Sequence, residues 1–316
     1  MRLAEIAGQD RALKRLTALL ASRRLPPAFL FRGPQGVGKA AAARALAQAL
    51  RCASPDGGDA CGACQPCAAV EKGIDPDVSI VDAAYQAGLL DEEAAKQRSI
   101  KVDTIRHLLE SLQMRSLQGG WKVAVVEDAH LMMAEAANAM LKGLEEPPTR
   151  TLWVLVTHQP DRLLPTIRSR CQAVDFGPLP RTVLEDLLAA RGVGAEEAAA
   201  LLPRAEGSLG RALALREQAG ADPADWLSDP LAPFRLAEEL PRELHLSRPA
   251  AEAGIARMAW HLRLSRGEAV YADAEARGVL RGLAALRRAV QANADPRLCL
   301  ELAAFRLQAL AQGARP

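Results

Sequence analysis

Aromatic residues make up only 3% of this 316-residue chain, and its formal net charge is only +2. Near-balance of charge means that any basic surface is local, so nucleic-acid binding does not follow from the total. No apolar run approaches the ~18–20 residues that span a bilayer, and Met1-Arg2-Leu3-Ala4-Glu5 carries no apolar signal region. These absences lead to the expectation of a soluble, cytoplasmic protein without membrane partners. Internal repeats and low-complexity tails are also missing. What is present is a chain rich in Ala, Leu and Arg, long enough for two or three domains and a large core.

Its most informative segment is Gly33-Pro34-Gln35-Gly36-Val37-Gly38-Lys39-Ala40, which follows the phosphate-loop pattern G-x-x-x-x-G-K-[ST] up to the last position. Gly33, Gly36 and Gly38 let backbone N–H groups wrap phosphates, and Lys39 reaches toward the β/γ-phosphates. Ala40 has no oxygen to hold Mg²⁺. The loop is thus suited to ATP or ADP, while Mg²⁺ and hydrolysis are poorly provided for. Its context fits, because the apolar Ala28–Phe31 reads as a buried strand and Ala41–Leu50 as a helix whose N-terminus favours an anion.

Cys52, Cys61, Cys64 and Cys67 form C-x8-C-x2-C-x2-C with Gly57, Gly58, Gly62 and Pro66 between them. Glycines and proline allow several thiolates to turn onto one ion, and four sulfurs in a tetrahedron suit a structural Zn²⁺. An iron–sulfur cluster and a pair of disulfides are the alternatives, the latter disfavoured in a cytosolic chain. Cys171 and Cys299 stand alone, Cys299 as a small buried hydrophobe.

Further strands are expected at 77–81, 121–126, 152–156 and 172–176, and helices at 11–23, 102–114 and 134–144, with 83–99 polar and irregular. Strands alternating with helices predict an α/β domain, a parallel sheet between helices, over 1–178 with the cysteine module at 52–67. Short helices at 181–191, 195–204 and 209–219 make a small helical domain over 179–220. The remainder, 221–316, reads as all-α, with Pro223, Pro230, Pro233, Pro241 and Pro249 marking turns.

Val123-Ala124-Val125-Val126 ends in Glu127-Asp128, where P-loop ATPases place an Asp for the metal and then a Glu for the attacking water. Here the order is reversed. His130 and His158 read as structural, and Lys101 and Arg106 as surface charges.

Ala136–Pro148 (AANAMLKGLEEPP), Pro165-Thr166-Ile167-Arg168-Ser169-Arg170-Cys171 and the cysteine module together resemble the bacterial replicative clamp loaders. These are AAA+ proteins that open a ring-shaped sliding clamp and place it on primed DNA. The resemblance covers residues 1–215 and implies an AAA+ P-loop domain, a helical lid and a C-terminal collar used for oligomerisation. It implies a nucleotide site of Gly33, Gly36, Gly38, Lys39, Ala40, Glu127, Asp128 and Thr157, the last at the sensor-1 position. It further implies that Arg170 of the S-R-C motif acts as a trans arginine finger on a neighbour's ATP, with Arg168 as its support. Ala40, the inverted acids and Gly210, which stands where a sensor-2 Arg would fall, are similar to the non-hydrolysing delta-prime branch. Arg211 lies one position over. The implied partners are the gamma/tau and delta subunits, and through the complex the sliding clamp and primer–template DNA. The assembly is accessory to a DNA-directed DNA polymerase. An active gamma/tau-like ATPase motor is the alternative.

Overall fold

Ala28-Phe29-Leu30-Phe31 is apolar at every position, as a strand covered on both faces requires. In the computed structural model it forms β1 (Ala28–Arg32), an inner strand of a five-stranded sheet. The structure describes residues 2–312 apart from 92, 94–96, 98, 117–118, 218–228 and 267–268. The chain divides into two units, Met1–Leu213 and Ala214–Pro316.

In the first unit, β2 (Val78–Val81), β3 (Lys122–Val126), β4 (Thr151–Thr157) and β5 (Gln172–Asp175) join β1 in the order β2-β3-β4-β1-β5. All neighbouring pairs are parallel. Alternate strand residues face two cores. Phe29, Phe31, Val125 and Val154 pack with α1 (Asp10–Ser22) and α2 (Lys39–Arg51). Leu30, Ala124, Trp153 and Leu155 pack with α5 (Val102–Gln113), α6 (Ala134–Glu145) and α7 (Pro165–Arg170). The anticipated parallel sheet between helices is therefore present.

One element of this unit differs from expectation. Residues 83–99 are not irregular throughout: α4 runs Ala83–Leu90, started by Asp82, whose carboxylate accepts from the Tyr85 amide at 2.8 Å. That cap satisfies one of the free N–H groups of the first turn. Within the cysteine module, α3 (Gln65–Glu71) begins directly after Cys64 with Pro66 in its first turn. α8 (Arg181–Ala189), α9 (Ala195–Ala205) and α10 (Leu209–Glu217) follow the sheet. Residues 218 and 219 of the expected third helix lie outside the described residues.

At the sheet's N-terminal edge, Arg51 ties three chain segments together. Its guanidinium bridges Asp75 (3.1 Å) and Asp77 (3.1 Å) and donates to the Gly119 carbonyl (2.8 Å). Both carboxylates are buried, which the paired cation and the Ser116 hydroxyl on Asp77 make tolerable.

The second unit is helical: α11 (Ala232–Glu238), α12 (Leu244–Arg266), α13 (Ala269–Ala272), α14 (Ala274–Gln291) and α15 (Pro296–Ala311). Asp273 and Asp295 cap α14 and α15. Ile255, Met258, Leu283, Leu300 and Leu307 form its core. Pro249 lies inside α12 rather than at a turn. A proline that early removes one hydrogen bond, and the buried face of Ala251, Ile255 and Met258 keeps the helix continuous.

Candidate functional site

In an open parallel sheet, ligands bind beyond the strands' C-terminal ends, where the chain switches direction. β1 lies between β4 and β5, so Gly33–Gly38 occupies that position. Gly33, Gly36 and Gly38 all have positive φ (144°, 72° and 102°), and Gly38 caps α2 in the left-handed region. The loop thus turns its N–H groups and the α2 N-terminus to one side, the arrangement that binds an anion.

Lys39 is only 6% exposed and donates to the carbonyls of Gly33 (2.8 Å) and Pro34. Burial pulls its ammonium down to about 8, against the opposing pull of the Asp128 carboxylate. Ala40 follows it in the first turn of α2 and offers no ligand atom. Gln9, buried beside the loop, donates to the carbonyls of Val37 (3.2 Å) and Gly177 (2.8 Å).

Strand register brings the remaining expected residues to the same edge. Arg32 pairs with Thr157, and Val126 pairs with Leu155, so Glu127 and Asp128 emerge beside Thr157. Glu127 is held by Arg44 of α2 at 2.8 Å, a partner that motif reading did not identify. Asp128 adopts φ 45° and lies 3.5 Å from His158 and 4.0 Å from His130. Thr157 is fully buried, with its hydroxyl 3.2 Å from His130 Nδ1. Burial, before the charge of His158, pushes His130 below the usual imidazole range.

The start of α10 sits directly on the loop. The Ser208 hydroxyl donates to the Gln35 carbonyl at 2.7 Å and accepts from the Arg211 amide at 3.0 Å, so one side chain caps the helix and fastens it to the loop. The Gly210 amide donates to the Gly36 carbonyl at 3.1 Å. Backbones meet this closely because both residues are glycine: a Cβ on Gly210 would stand 2.9 Å from Gly36 Cα. Arg211 turns to Glu206 (2.5 Å).

Arg170 is not at this edge. It ends α7 immediately before β5, whose Gln172 pairs with Phe29 near the start of β1. At about 3.3 Å per residue, the climb from Phe29 to Gly33 is roughly 13 Å, beyond the reach of an arginine side chain. Arg170 is exposed, donates to the Thr166 carbonyl (3.0 Å) and bridges Glu145 (2.6 Å). Arg168 bridges Asp161 (2.9 Å) instead of bracing Arg170.

The sulfurs of Cys52, Cys61, Cys64 and Cys67 all lie within 4.8 Å of one another. A zinc tetrahedron with Zn–S bonds of about 2.3 Å has S···S edges of about 3.8 Å, and the Cys52 and Cys64 sulfurs stand 3.9 Å apart. All six cysteines are free thiols, so the disulfide alternative is not adopted. Burial raises Cys64, but amide hydrogen bonds from Ala53 and Cys67 and the neighbouring thiols outweigh it and bring it down to about 6. The donor set fits Zn²⁺ and would hold it with no open position, as a structural site does. Cys171 packs into the sheet's second core, and burial raises its thiol to about 12. Cys299 is buried in the helical unit.

No helix among the described residues is long and apolar enough to cross a membrane. Comparison with known proteins adds three relatives. DNA polymerase III subunit delta' of Pseudomonas aeruginosa is 41% identical over 174 residues, 55% of this chain and 50% of that one. The delta' subunit of Bacillus subtilis is 39% identical over 57% of this chain and 51% of its own. DNA polymerase III subunit tau of Escherichia coli is 36% identical over 68% of this chain and 32% of its own. The matched stretch thus spans about half or less of each relative's length. The family model described as DNA polymerase III, delta subunit, matches residues 8–180, the whole sheet with its phosphate loop and the S-R-C segment. This chain belongs to that DNA polymerase III delta-subunit family.

Proposed function

We propose that the chain is a non-hydrolysing AAA+ subunit of a replicative clamp loader. In this role Arg170 enters the ATP site of a neighbouring gamma/tau-type subunit, and the assembly, with a delta subunit, opens the sliding clamp and places it on primed DNA. The observation that carries the reading is the position of Arg170. It is exposed at the N-terminal edge of the sheet, with the strand length between it and its own phosphate loop. An arginine so placed cannot reach its own loop, which supports a role at another molecule's nucleotide. A guanidinium fixed against a departing γ-phosphate accelerates transfer by about 10³–10⁵-fold, and its forked donors are not replaced by lysine.

The chain's own loop supports the passive half of the reading. Ala40 gives no metal ligand, Glu127 is paired with Arg44, and Gly210 brings the lid backbone onto Gly36 in place of a long cationic side chain. The loop remains suited to a bound nucleotide without turnover, and the cysteine cluster to a structural zinc. The tau relative, matched over more of this chain than the delta' relatives, favours a second reading, an active motor.

Assembly with the motor and delta subunits, followed by ATPase measurement with native chain and Arg170→Ala, separates the two. The stator reading expects assembly and melting to be unchanged while the neighbouring site slows by about 10³-fold or more. Unaltered turnover in the assembled Arg170→Ala complex would refute it, as would vigorous ATP hydrolysis by the purified chain alone.

A further inference from the structure

Two groups among the described residues bring three or more metal-ligating side chains within 4.8 Å, and only one of them is the cysteine cluster. From the other we infer that Asp128, His130 and His158 form a second divalent-cation site, selective for Zn²⁺-like ions. It is independent of the role of Arg170.

The fold assembles the group from two neighbouring strand ends. Asp128 follows β3, His130 lies in the single 3-10 turn Ala129–Leu131, and His158 is the first residue beyond β4. Pairing of Val126 with Leu155 places these ends side by side. Both imidazoles aim Nδ1 at the same oxygen: His158 at 3.5 Å and His130 at 4.0 Å from Asp128 Oδ1. Ligand bonds of about 2.0–2.1 Å imply separations of about 2.9–3.4 Å between ligand atoms. The observed distances need only small side-chain rotations to close on an ion.

The chemistry selects the ion. Two imidazoles and one carboxylate suit Zn²⁺, Co²⁺ or Ni²⁺, whereas Mg²⁺ takes an octahedron of oxygens. His130 is buried with its ring 4.3 Å from that of His158 at 76°, and its Nδ1 also meets the Thr157 hydroxyl at 3.2 Å, a contact an ion at Nδ1 would replace. His158 Nε2 is 3.0 Å from the Gln159 side-chain amide. With Nδ1 on a metal, Nε2 carries the proton, and rotation of that amide presents Oε1 to accept it, the outer partner typical of ligating histidines. Asp128 is half exposed, which leaves an entry path, and three protein ligands leave room for water. The charges of Arg162 and Lys39 reach His130 and oppose a cation, so this site binds more weakly than the four thiolates.

Equilibrium dialysis of the full chain against Zn²⁺, followed by elemental analysis, tests the assignment. Native chain should hold one zinc more than His158→Ala and one more than Asp128→Asn, whatever the cysteine cluster holds. His107→Ala, which removes an exposed histidine elsewhere, should keep the native count. Melting curves in the absence of added zinc establish that the variants are folded. Equal zinc content in native, His158→Ala and Asp128→Asn chains would overturn the inference, as would loss of the extra ion in His107→Ala.

Discussion

Replacing Gly36 by alanine measures whether the start of α10 is seated on the phosphate loop. Two costs are separable. Gly36 has φ 72°, where a Cβ meets the backbone and costs about 1–2 kcal/mol. Its Cβ would also stand 2.5 Å from Ser208 Oγ, 2.8 Å from Gly210 Cα and 2.9 Å from Gly210 N. Overpacking of that kind costs a further ~1–3 kcal/mol. Gly73 provides the control, with φ 69° and nothing within 4 Å of its would-be Cβ, so Gly73→Ala incurs the backbone cost alone. Denaturant unfolding of both variants should therefore show Gly36→Ala less stable than Gly73→Ala by about 1–3 kcal/mol, with unchanged m-values. In a thermal melt each kilocalorie of that excess corresponds to about 2–4 °C for a unit of this size. Equal losses would mean that Ser208 and Gly210 do not rest on the loop in solution, and the seating of α10 on it would have to be abandoned.

Two further outcomes are expected. Lys39 has a folded-state pKa of about 8, below the ordinary lysine value of 10.5, so the unfolded chain binds more protons between those pH values. Lys39 therefore contributes stability that rises as pH climbs from about 8 to 10.5, by about 3 kcal/mol; comparison with Lys39→Met in urea across that range should remove this slope, and parallel profiles would refute the burial argument. The cluster around the four cysteines contains only Ala49, Ala60 and Cys67 as fully buried apolar residues, too little to order 52–64 unaided. Chelation of zinc should expose that segment to proteolysis while the sheet remains protected, and Cys64→Ser should do the same; an unchanged digestion pattern would show that the ion is not structural.

Much of the sheet was legible from local sequence. Phe29–Phe31, Val123–Val126 and Leu152–Val156 are short runs apolar at every position, as strands covered on both faces require. The glycine loop and the cysteines were equally legible, because their chemistry lies within a few consecutive residues. α4 was not, since the acids that follow it masked the cap at Asp82 and the apolar turn it starts. Pairings made across the sheet were also hidden. Arg44 meets Glu127, Ser208 meets Gln35 and His130 meets His158 only through strand register and the return of α10, which no short window of sequence contains.

Arg51 and Cys52 are consecutive, so the residue that knots the base of the sheet also begins the thiolate cluster. α2 runs thirteen residues from Lys39 to Arg51, about 20 Å of rigid spacer. A spectroscopic metal or fluorophore seated among the four sulfurs would thus report from the base of the sheet, a helix length from whatever occupies the phosphate loop.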